Sequence, residues 1–369
     1  MDKTTTVTID KLEHNYVNGI CSVCNQKQVS IAWKAASLTL LDNIAINFKA
    51  EVTKPASYTG NYTVGALFWK EEPLTYTINN EGYLQIEEGQ EGYSLETSTG
   101  RHVFTYSDIA AKEMNDDIYL VAYIKTANNE YIYSNPLTYS VVKCATTILN
   151  PQYNYSDEFR TLAVDMLNYG AAAQVYFNYR TDALANAGLT DAQKAYGTSG
   201  TVTLANHQAA YGTASDNAKF THANLTLESA VWLNYKAAIK APQGRSIRKV
   251  TLFYDETFTN ENAWVSRRNS NQLKSTEMEL NTGYTSTNGE SQYVGNIKGL
   301  AAKDLRNLMY TQIMVTYSDG SVVYSNILQY SVETFAWKAH DLNNNALIPL
   351  ADALMKYSDA AKAYLATLN

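Results

Sequence analysis

Two cysteines, in Cys21-Ser22-Val23-Cys24, with His14 seven residues upstream, make the most metal-like grouping in the chain. Thiolates and an imidazole suit zinc, which takes four ligands in a closed structural site. His14, Cys21 and Cys24 supply three, so a carboxylate such as Asp10 or Glu13 would have to complete the set before a structural zinc could bind. A local disulfide in an oxidising compartment accounts for the same spacing, as does the remnant of a longer linker motif. Cys144 stands alone at the end of a strand pattern and reads as a small buried hydrophobe. His102, His207, His222 and His340 share no ligand spacing.

Catalytic patterns are missing from the sequence. It contains no G-x-S-x-G, H-E-x-x-H, Walker loop or G-x-G-x-x-G. The acid pairs Glu87-Glu88 and Asp116-Asp117 fall in turn-like segments, and a glycosidase needs two carboxylates facing each other across a cleft. A hydrolase is therefore the third reading, and the expectation is a protein that is not an enzyme. Aromatic chemistry remains. Sugar C–H faces stack on Trp and Tyr rings, whose polar tips add hydrogen bonds. Trp264 lies in a polar run, Asn260-Glu261-Asn262-Ala263-Trp264, followed by Arg267 and Arg268, and is expected in a loop facing ligand. In the strand pattern Val231, Leu233, Tyr235, the alternation turns Trp232 and Asn234 to the other, polar face. Trp69 ends a strong strand pattern, and Trp337 stands where sheet gives way to helix and favours burial. The expected ligand-binding set is Trp264, Trp232, Trp69, Trp337, Arg267 and Asn234. Tyr58, Tyr62, Tyr83, Tyr93 and Tyr284 are weaker loop candidates, and Trp33 reads as an anchor for the N-terminal linker.

The elements that position these groups come in a repeat. Ser37-Leu38-Thr39-Leu40 matches Asn224-Leu225-Thr226-Leu227, Leu67-Phe68-Trp69 matches Leu252-Phe253-Tyr254, and Ile109 through Glu113 matches Leu300 through Asp304. Tyr133-Ser134-Asn135 with Tyr139-Ser140-Val141 recurs as Tyr324-Ser325-Asn326 with Tyr330-Ser331-Val332. One order in both copies means a tandem duplication. Segments 38–52, 118–126, 130–142, 225–239, 309–317 and 321–332 alternate apolar and polar residues and are rich in Val, Ile, Thr and Tyr, as half-buried strands are. Asn128-Asn129 and Asp319-Gly320 read as hairpin turns. Residues 157–177 and 346–367 take a helical period, with Ser156 or Asp157 as cap, and 190–196 reads as a short helix capped by Thr190. The predicted fold is mainly β with α: two tandem antiparallel β-sandwich modules, each followed by a short helical segment. The predicted division is a linker at 1–30, one lobe at 31–198 and a second at 199–369.

Composition narrows the partners. The 369 residues are 45% hydrophobic and 18% charged, which describes a folded chain and not a disordered one. A net charge of -7 without a basic stripe argues against nucleic acid and anionic membranes. No apolar run reaches the roughly 20 residues of a membrane helix. Met1-Asp2-Lys3-Thr4 is too polar to open a signal peptide. Yet 29 tyrosines against 29 lysines and arginines suit a secreted sheet protein, so secretion or cell-surface attachment is expected.

The helix block Leu162 through Phe177, the Tyr133-Ser134-Asn135 motif and the His14-to-Cys24 knuckle together resemble secreted surface proteins of gut Firmicutes. The knuckle looks like a zinc-ribbon-type element found between domains of such proteins. Within that set, residues 30–369 resemble the bilobed starch-binding domain of the starch adherence system family of gut bacterial amylosomes. The resemblance implies a non-catalytic module whose groove, between or across the lobes, takes α1,4-linked glucan. Its partners would be starch or maltooligosaccharides and other amylosome components. It transfers no binding residues, because the aromatic loops are where the two copies differ most. The alternative from another class is a structural or adhesion module of a cell-surface protein, held to other proteins through an exposed apolar patch.

Overall fold

A computed structural model describes residues 29–56, 58–286 and 288–368, together with the backbone of Tyr16–Val17 and Ile20–Cys21, which pair as a short hairpin. Among the described residues, four larger antiparallel sheets form two sandwiches. In the first, one sheet runs Ser30–Thr39, Ala45–Thr53, Arg101–Tyr106, Tyr93–Glu96. Its partner runs Tyr131–Tyr133, Ile118–Thr126, Tyr62–Trp69, Leu84–Glu87, and Leu137–Tyr139 also pairs with Ile118–Thr126. The second sandwich repeats the plan. One sheet runs Ala209–Tyr211, Val322–Tyr330, Met309–Tyr317, Ile247–Asp255, Lys274–Glu277; the other runs Ala218–Thr226, Trp232–Ile239, Ser291–Ile297, Glu279–Leu280.

Alternation decides which residues enter each core. Phe48 and Phe68, from facing sheets of the first sandwich, are buried with ring centres 5.8 Å apart. Trp33 meets Phe48 and Phe104 edge-on and so packs on this core; most of the linker it is expected to anchor lies outside the described residues. In the second sandwich Leu233, Tyr235 and Ala237 turn inward from one sheet, and Val250 and Leu252 are buried in the other.

Helices α1 (Val141–Ile148), α2 (Asp157–Tyr176) and α3 (Asp191–Lys194) follow the first sandwich. Helix α4 (Glu261–Asn269) is inserted within the second, and α5 (Val332–Asp341) and α6 (Ile348–Leu368) follow it. The chain divides into two compact units. One comprises Met1–Ser37, Asn47–Tyr106 and Asp117–Tyr139, and the other Leu38–Ile46, Ser107–Asp116 and Ser140–Asn369. The second unit thus holds the second sandwich and the helices of both repeats. Within it α2 packs on α6, and the equivalent rings Tyr169 and Tyr357 stack 5.9 Å apart at 14°. Gly170 makes room for this packing: a Cβ there would lie 2.6 Å from the Met114 sulfur. Two equivalent lysines also reach out in parallel fashion, Lys112 to Glu228 at 3.3 Å and Lys303 to Asp42 at 2.5 Å.

The repeated tripeptides have structural explanations. Ser140 and Ser331 are N-caps, accepting hydrogen bonds from the Lys143 and Thr334 backbone N–H groups at 3.2 and 3.0 Å. They start α1 and α5, where the sequence suggested strand ends. Ser134 and Ser325 do a different task. The ladder between Met309–Tyr317 and Val322–Tyr330 slips between Gln312 and Met314, and the Ile313 N–H donates instead to Ser325 Oγ at 2.9 Å. Ala122 N–H donates to Ser134 Oγ at 3.0 Å in the same way. Each hydroxyl passes its proton back to the next carbonyl, Asn326 or Asn135.

This pairing fixes the alignment of the repeats. Ala122 corresponds to Ile313, so Gly65, which pairs with Tyr123, corresponds to Thr251, which pairs with Met314. Leu67 then matches Phe253 and not Leu252, one residue from the sequence alignment. A one-residue slip moves every side chain to the opposite face, and Phe253 indeed lies on the outer face with Trp264.

Ser325 is 2% exposed, so replacing it leaves a buried donor without a partner. Ser325→Ala should cost about 1–3 kcal/mol, read as a lowered midpoint in urea denaturation. A change within a few tenths would mean that the strand repairs itself.

Candidate functional site

The tryptophans separate into sealed and open ones. Trp264, expected in a loop facing ligand, is on α4 and only 1% exposed. Asn260 caps α4 by accepting from the Ala263 N–H at 2.9 Å, which explains the polar run before the ring. The ring drops onto the outer sheet face among Leu273, Tyr310, Ile327, Phe253 and Phe258. Its Nε1 donates to Gln312 Oε1 at 3.0 Å, and Arg268 donates to the same oxygen while its guanidinium lies 3.6 Å from the Tyr324 ring centre. Trp264 is therefore a core residue. Tyr310 and Ile327 come from strands distant in sequence, so a local reading of polarity could not find them, although Phe258 and Leu273 lie nearby.

Arg267 is likewise spoken for. It donates to Asp255 Oδ2 at 2.7 Å and to the Thr257 carbonyl at 3.0 Å, tying α4 to the preceding loop. Trp69 is 3% exposed, packed edge-on by Tyr76 and Tyr83, and its Nε1 donates to the Glu81 carbonyl at 3.2 Å. It anchors loop 70–83 and presents no free face. Trp337 is half-buried on α5, remote in sequence from any other member of the expected set. His14 and Cys24 lie outside the described residues, and of Cys21 only the strand backbone is described. Among the described residues no group of three or more His, Cys, Asp or Glu is placed to hold a metal ion. Cys144 is buried on α1.

Trp232 and Asn234 remain together. Both are half-exposed on the outer face of Trp232–Ile239, as alternation requires with Leu233 and Tyr235 inward. Across the ladder Asn234 faces Asn224 on one side and Asn296 on the other, and donates to Asn296 Oδ1 at 2.7 Å. This gives a row of three amides beside one indole ring. Lys298 holds its ammonium 4.3 Å from the Trp232 ring centre, a cation–π contact.

Lys298 also lines a pocket of about 310 Å³ at the end of the second sandwich. Leu233, Ile297, Leu305 and Met309 are among the apolar groups of its wall, and Tyr254 adds a ring. Asp42, Glu256 and Asp304 bring three carboxylates, and Lys274, Lys298 and Lys303 three ammonium groups, so the lining has no net charge. Several of these charges are already engaged. The Asn307 amide donates to Glu256 at 2.9 Å and to Asp304 at 3.2 Å, and the hydrogen bond to Asp42 holds the Lys303 ammonium above the ordinary lysine range. A pocket with balanced charge, many donors and acceptors and an aromatic rim favours a neutral, hydroxyl-rich molecule over an ion. The sequence found Trp232 and Asn234. It missed Tyr254, Glu256, Lys298 and Asn307, which three separate segments bring together and no local motif marks.

No family model matches the chain, and no curated protein matches it. Among solved structures, a marsupial T cell receptor aligns over 81% of this chain and 99% of that one, at 7% identity and a TM-score of 0.21, a likeness too slight to bear on fold or function.

Trp264→Ala should destabilise the fold by about 3–5 kcal/mol, as large aromatic truncations in cores do, and Trp264→Phe by clearly less. Thermal melting measures both. A Trp264→Ala chain with an unchanged melting temperature would return this ring to the surface.

Proposed function

We propose that this chain is a non-catalytic carbohydrate-binding protein for α1,4-linked glucan that works outside the cell. The observation that carries the reading is Trp232, half-open on a polar sheet face beside three asparagines and a charge-balanced pocket. A pyranose has one face of C–H groups for the indole and a rim of hydroxyls for the amides. Exposed amides such as Asn224 both donate and accept, which matches hydroxyls better than it matches carboxylate or phosphate. The pocket volume of about 310 Å³ is at the lower end of small-molecule sites, the scale of one or two sugar rings. Starch as the source of the glucan, and amylosome components as further partners, follow from the resemblance of the helix block and the Tyr-Ser-Asn motif. The carboxylates of the pocket, held by asparagine and lysine partners, support a binding role over hydrolysis in this reading.

Affinity electrophoresis through amylopectin should retard the protein, and calorimetry with maltoheptaose should give saturable heat. Trp232→Ala should weaken that binding at least tenfold, about 1.4 kcal/mol or more, while the melting temperature stays close to wild type. Free migration through amylopectin with retardation by another glycan would reject starch and keep the site. Undiminished maltoheptaose binding by Trp232→Ala would reject the site.

A further inference from the structure

The two sandwiches treat their equivalent outer faces differently. In the second, α4 lays Trp264 over the face and Arg268 over Tyr324. In the first, loop 70–83 covers only the Trp69 end, where Tyr76, Ile78 and Tyr83 pack down and the Ile78 N–H donates to Tyr133 Oη at 3.1 Å. The other end of that face stays open. There Tyr131, half-exposed, holds its ring within 13° of parallel to that of Tyr133, at the margin of the cover, with centres 6.0 Å apart. Tyr123 lies across Gly65, where a Cβ would come 2.3 Å from its ring. Its hydroxyl meets Glu87 Oε1 at 2.5 Å and Gln85 Nε2 at 2.6 Å, which fixes the Glu87 carboxylate at the edge of the face.

Beyond these rings is a pocket of about 260 Å³ lined by Asn61, Thr63, Glu87, Lys125 and Asn129 among others. Tyr131 pairs with Lys125 across the ladder and has that ammonium 5.8 Å from its ring centre, so the ring flanks the pocket. The second repeat has nothing similar: by the ladder register Tyr131, Lys125, Tyr123 and Gly65 correspond to Val322, Thr316, Met314 and Thr251.

The geometry points to a second carbohydrate site on the first sandwich, in which a neutral pyranose puts its C–H face on Tyr131 and its hydroxyls between Glu87 and Lys125. One anionic and one cationic group facing one pocket leave little preference for a charged ligand, and each can engage a hydroxyl, one as acceptor and the other as donor. The inference shares its ligand class with the proposed function but uses other residues in the other compact unit.

The test is calorimetry on the full chain carrying Trp232→Ala, with maltoheptaose, cellohexaose and xylohexaose as separate titrants. That chain should retain binding to at least one of the three. Adding Tyr131→Ala, or Lys125→Met, which keeps the aliphatic stem, should weaken the residual binding at least tenfold without moving the melting temperature. Absence of binding to all three by Trp232→Ala overturns the second site, and so does residual binding that neither added substitution reduces. The step from wild type to Trp232→Ala reports separately on the first site, so either reading can fail while the other stands.

Discussion

Every sheet has two faces, and covering the second of them organises this molecule. The inner faces present no difficulty, because each sandwich buries one sheet against the other. The outer face of a strand must be kept polar or be given something to lie beneath. The chain uses both solutions. Trp232–Ile239 turns Asn234 and Lys236 outward to water, whereas Ile247–Asp255 and Met309–Tyr317 turn Phe253 and Tyr310 outward and need α4 as a cover. Loop 70–83 is the corresponding cover in the first repeat, and it is shorter than the face beneath it. The aromatic groups available to a ligand are those that no cover reaches.

The helices follow a related constraint. An alanine-rich stripe permits close approach, and α2 and α6 use it to stack Tyr169 on Tyr357. Burial raises both phenols above their usual titration range. The copies are not equal here. Tyr357 donates to the Leu40 carbonyl at 3.0 Å, while the buried Tyr169 hydroxyl has no hydrogen-bond partner among the described residues. A duplication supplies two similar surfaces, but the packing satisfies one more fully than the other.

Much of the scaffold was legible in the sequence. Period-two alternation located the strands, and Ser156 and Thr190 proved to cap α2 and α3, Thr190 with Gln193 in a reciprocal capping box. Alternation also placed Trp232 and Asn234 outward. The failures have a common physical origin. Helix α4 carries one buried apolar residue in nine, so no periodicity announces it, and its tryptophan is enclosed by groups from Phe253 to Ile327. Helices α1 and α5 begin inside runs whose β-branched residues continue the strand pattern, and only the serine caps mark the change. The match of Leu67 to Leu252 failed because residue likeness and ladder register differ by one place. Tyr131 was overlooked because the strand pattern absorbed it, and nothing local says that its side of the sheet lacks a lid.

The union of α2 with α6 has a bearing on how the chain is made. Synthesis proceeds from the N-terminus, and domains commonly fold as they emerge. Helix α2 leaves the ribosome with its ring and alanine stripe ready, yet the surface that shields them, α6, is translated only after the whole second sandwich. The first repeat must therefore wait through production of its sibling with an apolar seam uncovered. This is a contact of very long sequence separation, the kind that slows assembly and invites capture by chaperones or by a neighbouring nascent chain.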